Sequence, residues 1–81
     1  MNLVEFTEEL VKKLVKEPEM VKVQQFNSDE EATIVEIIVH ESDMGAIIGK
    51  GGKMANALRT IIQSYAYSNN VHNVKINIDS F

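Results

Sequence analysis

Three of the chain's four glycines, Gly49, Gly51 and Gly52, fall within four consecutive positions of the stretch IIGKGGK, between Ile47 and Lys53. Nothing else in the sequence narrows the fold as far. Glycine loses more backbone freedom on folding than any other residue, so a cluster of it implies a backbone that must turn sharply or be approached closely. Apolar residues at helical spacing lie on both sides of the cluster, which makes it a corner between two helices.

Spacing separates the glycine-rich phosphate motifs that this stretch could represent. A Walker loop places four residues between its first glycine and a Gly-Lys pair, followed by Ser or Thr. Here GAIIGKG has three intervening residues, and Gly51 stands where the hydroxyl is needed. A dinucleotide fingerprint needs G-x-G-x-x-G directly after a strand. Position 54 is Met, and a stretch of other residues separates the last β-branched run from Gly49. What remains is G-x-x-G, Gly49 to Gly52, in which the missing β-carbons allow a tight turn and let a sugar-phosphate chain lie against the backbone. The following helix starts near Gly52 with free amide hydrogens and its positive dipole end turned toward such a chain, flanked by Lys50 and Lys53.

The rest of the chain reads as α-β-β-α-α-β. Asn2 and Glu5 have capping-box spacing ahead of an apolar stripe at Leu3, Phe6, Leu10 and Leu14. Pro18 restricts Glu17, so the first helix is expected to stop near Lys16. Met20 to Phe26 suggests a strand, and the polar run NSDEEAT a solvated loop carrying Asp29, Glu30 and Glu31. TIVEIIV is a second strand with apolar residues on both faces, as a central or dimer-covered strand requires, and the two are expected to pair as a hairpin. Ser42 or Asp43 is placed to cap a short helix through Ile48. A longer helix is expected from about Gly52 to Ser68, with Asn69 and Asn70 tolerating a left-handed exit. VKINI forms the last strand. The apolar face of the long helix is wider than one sheet needs, and its margin at Ala57, Ile61 and Tyr65 either sinks deeper into the core or packs on a second copy.

Charge is divided unevenly. The net charge is −4, yet Met44 to Ile78 contains no carboxylate and holds Lys50, Lys53, Arg59 and Lys75, while all 12 acids lie outside it. An anion-binding face on an otherwise acidic body has this distribution. A chain of 81 residues is expected to form one domain, residues 1–81, burying little more than ~60% of its unfolded surface. The absence of cysteine fits a reducing compartment, and no apolar run approaches the ~18 residues of a membrane span, so a soluble cytoplasmic domain is expected. No residue pattern suits catalysis. His40 and His72 are isolated, no Ser-His-Asp or metal-ligand spacing occurs, and neither cofactor nor metal is expected.

With Ile-Ile before the turn, lysine inside it, a helix after it and α-β-β-α-α-β around it, the sequence resembles a KH domain of type II topology. That is an α+β fold with a three-stranded sheet and helices on one face. IIGKGGKMANALRTIIQSYA is similar to the corresponding segment of the small single-domain bacterial KH proteins of the KhpA (YlqC-like) family. Ala55 departs from the large aliphatic usual in KH domains at that position, although the small-KH family resembles the chain there too. The resemblance implies single-stranded RNA held on Gly49, Lys50, Gly51, Gly52 and Lys53, because KH domains clamp four nucleotides on this loop. The bases would lie in an aliphatic groove. Ile47, Ile48 and Leu58 are the residues expected to shape it, with core roles for Ile48 and Leu58 as the alternative. Arg59 either contacts RNA further along or pairs with an acid on the body. The family also implies a homodimer, pairing with a KhpB (Jag/EloR-type) RNA-binding protein, and roles in post-transcriptional regulation, RNA chaperoning, cell elongation and wall synthesis. The rival reading is a KH-fold interaction module acting mainly through dimerisation.

Overall fold

The first helix, α1 (Leu3–Lys12), opens on a complete capping box: Glu5 N–H donates to Asn2 Oδ1 at 2.8 Å, and Asn2 N–H to Glu5 Oε1 at 3.1 Å. Two orphan amides are satisfied reciprocally, as the sequence leads one to expect. In the computed structural model, which describes residues 1–28 and 32–81, five more elements follow. They are β1 (Lys22–Asn27), β2 (Thr33–Val39), α2 (Met44–Ile48), α3 (Lys53–Ser68) and β3 (Val74–Ser80). The acidic turn residues Asp29, Glu30 and Glu31 lie outside the described residues.

The strands form one sheet in the order β1-β2-β3. β1 and β2 pair antiparallel as a hairpin, with Val23 opposite Ile37, and β2 and β3 pair parallel, with Val35 opposite Ile76. Parallel pairing needs a crossover, and α2 and α3 supply it. β2 is therefore the central strand, which accounts for its apolar residues on both faces. Val35, Ile37 and Val39 are fully buried toward the helices, while Ile34 and Ile38 are half-buried on the opposite face.

The core lies between that first face and the helices. Ile47 of α2, Leu58 and Ile62 of α3, and Leu3 and Val11 of α1 close over β2. Each fully buried aliphatic contributes about 1.5–3 kcal/mol. Phe6 stacks flat on Tyr65, with ring centroids 3.9 Å apart, and joins α1 to α3, while the Tyr65 hydroxyl donates to the Met1 carbonyl. Thr7, a polar residue inside the buried stripe, has a hydroxyl without a hydrogen-bond partner among the described residues.

Four local expectations need correction. α1 ends at Lys12 rather than Lys16, because the chain tightens into a turn in which Leu14 N–H donates to Val11 O. The next amides, of Lys16 and Glu17, then donate to the Asp43 carboxylate at 2.9 and 3.0 Å. For the same reason Asp43 does not cap α2. It is buried and spent on the α1–β1 connection, while His40 Nδ1 accepts from Ser42 N–H and caps the short turn ahead of α2. Finally, β1 starts at Lys22, since Pro18–Met20 form a single helical turn, and of the two asparagines after α3 only Asn70 is left-handed.

Candidate nucleic-acid interface

α2 runs for barely more than one turn before Gly49 breaks it at φ 75°, ψ 174°, a conformation open almost only to glycine. Gly49 still closes the helix, its N–H donating to Gly45 O at 2.9 Å, and Gly52 N–H returns to Gly49 O at 3.2 Å. Gly51 and Gly52 are left-handed as well, at φ 64° and 78°. α3 then starts at Lys53 with no side chain among the described residues capping its first turn. The Lys53 N–H returns to Lys50 O, and the amides that follow lie at the end of α3 where the helix dipole is positive.

The glycines do different work. A β-carbon on Gly49 would lie 2.7 Å from Met54 Cβ and 2.8 Å from Met54 N, so this glycine is what lets α2 and α3 meet. At Gly51 and Gly52 a β-carbon would meet nothing within 4 Å. Those two leave an open surface where side chains would stand.

Lys50 and Lys53 flank that surface, both exposed and neither in an ion pair among the described residues. Arg59 is half-buried, and its Nη1 donates weakly to Asn56 Oδ1 at 3.4 Å. It pairs with no acid among the described residues. Ile47 and Leu58 are buried to 0% and 1% exposure, which places both in the core beneath the corner rather than on a groove wall. Ile48 alone of the three aliphatics keeps part of its surface open. Ala55 is also buried, consistent with a close approach between α3 and the core.

On the other side of α3, Met54 and Ile61 are 36% and 44% exposed and Ala57 is open, whereas Tyr65 is engaged with Phe6 inside the chain. Sequence reasoning did not find Asp43 as the anchor that ties the approach to α2 onto the α1–β1 connection. A carboxylate that accepts from two distant backbone amides leaves no periodic trace.

A family model of the KhpA/KhpB KH domain matches residues 4–78. The RNA-binding protein KhpA of Clostridium perfringens is 41% identical over 66 residues, covering 82% of this chain and 87% of that protein. The KhpA of Borreliella burgdorferi is 39% identical over 69 residues, covering 85% and 83%. Among solved structures, Era in complex with MgGDPNP and nucleotides 1506–1542 of 16S ribosomal RNA superposes with a TM-score of 0.66 at 22% identity. That match takes in 96% of this chain and 29% of Era, and the likeness is one of fold. With the mixed three-stranded sheet, the glycine corner between two helices and the match over nearly its whole length, the chain belongs to the KhpA/KhpB family of KH domains.

Proposed function

We propose that this protein binds single-stranded RNA, with the sugar-phosphate backbone lying on Gly49, Lys50, Gly51, Gly52 and Lys53. The observation that carries the reading is the open backbone at Gly51 and Gly52, joined to an α3 N-terminus that no side chain among the described residues caps. Phosphates there meet amide hydrogens, the positive helix end and two lysines in no ion pair among the described residues. Phosphates further along the strand meet Arg59. Bases would rest against Ile48, with Ile47 and Leu58 forming the rigid floor below. The KhpA relatives bear the name RNA-binding protein, which favours the same reading.

Affinity in one copy is modest on this account. Two or three neutralised phosphates give a slope of log affinity against log salt of about −1.5 to −2. Replacing Lys50 and Gly51 together with aspartates tests the reading. RNA binding should vanish while the fold persists, and RNA binding that survives would refute the clamp.

The exposed strip at Met54, Ala57 and Ile61 favours a second role in association, as a homodimer or with a KhpB-type partner, the dimer gaining a second groove at high effective concentration. Work as a cytoplasmic RNA chaperone and post-transcriptional regulator, with effects on cell elongation and wall synthesis, follows the family resemblance. None of the helices among the described residues is long and apolar enough to cross a membrane.

A further inference from the structure

The polar side of α3 carries a feature that the clamp uses only at its first residue. Lys53, Asn56, Thr60, Gln63 and Tyr67 follow one another at alternating intervals of three and four residues. Side chains so spaced line up along one side of a helix. The line starts at the glycine corner and ends at Tyr67, about 21 Å away at the helical rise per residue. No carboxylate occurs anywhere in the segment that contains it, Met44 to Ile78. A polyanion leaving the corner along this track therefore meets no like charge from α3 or its flanks.

The track is ordered by its own hydrogen bonds. Thr60 Oγ1 donates to Asn56 O at 3.1 Å, and Gln63 Nε2 donates to Val74 O at 3.0 Å, holding the carboxamide against the edge of β3. The Gln63 Oε1 acceptor has no partner among the described residues. At the far end Tyr67 is 68% exposed, and its ring stands edge-to-face to His72 with centroids 4.7 Å apart and planes at 76°. Two hollows meet at Gln63 and Tyr67. One of about 350 Å³ runs past Thr60 and Ser64, and one of about 260 Å³ reaches His72 and Asn73. Apart from His72, their walls carry only neutral groups: carboxamides, hydroxyls, an aromatic face and two valines. Aromatic faces with neutral donors and acceptors beside them suit an unstacked nucleobase, which stacks on the ring and offers its edge to the amides.

We propose that this trough is an outer base-binding subsite for single-stranded RNA. A strand held on Gly49–Lys53 continues along the α3 track, and a base beyond the clamped nucleotides stacks on Tyr67, with His72 fixing the ring and Gln63 and Asn73 facing the base edge. The subsite rests on the reading of the corner as the RNA clamp.

The test is fluorescence anisotropy on the full chain with labelled oligouridylates and oligoadenylates, each as a tetranucleotide and a decanucleotide. Tyr67→Ala should weaken decanucleotide binding by about 5- to 150-fold, the loss of one base stack, and leave tetranucleotide binding unchanged. Tyr67→Phe should bind like the parent, because the ring face is kept. If Tyr67→Ala binds the decanucleotide as the parent does, while the loop aspartates abolish binding of both lengths, the subsite is refuted and the clamp stands. If the loop aspartates leave both lengths bound, the clamp fails and takes the subsite with it. Equal weakening of both lengths by Tyr67→Ala would also refute an outer site, as would loss of a protein partner with RNA binding intact.

Discussion

Gly49 and Met54 approach so closely that the space for a side chain on Gly49 is already taken by the Met54 Cβ and backbone nitrogen, 2.7 and 2.8 Å from where a β-carbon would sit. This contact sets the angle at which α3 leaves the corner, and so the direction of its exposed amides. Gly49→Ala would combine a backbone conformation reserved for glycine with an overpacked contact, and should cost about 2–5 kcal/mol in chemical denaturation. Gly51→Ala, with open space around it, should cost only about 1–2 kcal/mol for its left-handed backbone. Equal losses at the two positions would show that the contact with Met54 is not what holds the corner.

Asp43 is predicted to be the least replaceable acid among the described residues. Its carboxylate accepts from two backbone amides, of Lys16 and Glu17, and is 2% exposed. Asparagine keeps the size but turns a donor toward an amide that is itself a donor. Asp43→Asn should lower stability by about 2–3 kcal/mol, read from the urea midpoint at unchanged slope.

Thr7 offers a change of the opposite sign. Its buried hydroxyl is unpaired among the described residues, and valine has nearly the same shape without the polar atom. Thr7→Val should raise stability by about 1 kcal/mol, or about 4–8 °C in the melting temperature of a chain this size. A lower melting temperature would mean that the hydroxyl finds a partner in solution.

Ile61 separates the two proposed roles. It is 44% exposed on the side of α3 away from the RNA track, so a charge there disturbs little within the fold. Ile61→Asp should yield monomers in sedimentation velocity and leave the tetranucleotide affinity of each copy unchanged. An unchanged mass for a parent that is dimeric would move the interface elsewhere.

Much of this was legible in the residues, for reasons that differ by element. The capping box at Asn2 and Glu5, the alternation in β2 and the glycine corner are local patterns, and the structure follows them. The end of α1 was not legible, because it depends on Asp43, a residue far along the chain that takes the amides a longer helix would have used. Ile47 and Leu58 show the same limit. Periodicity marks them as apolar and helical but does not say whether such a residue faces a groove or the sheet beneath, and both face inward. Tyr65 was read from its place on a helix margin, and only the fold brings Phe6 over it.

The most direct measurement is an amide NMR titration of the full chain with a short single-stranded oligoribonucleotide. The clamp predicts that the largest shifts fall within residues 47–54, with weaker ones extending along α3. Shifts concentrated elsewhere, with the amides of residues 47–54 unmoved at saturation, would contradict it.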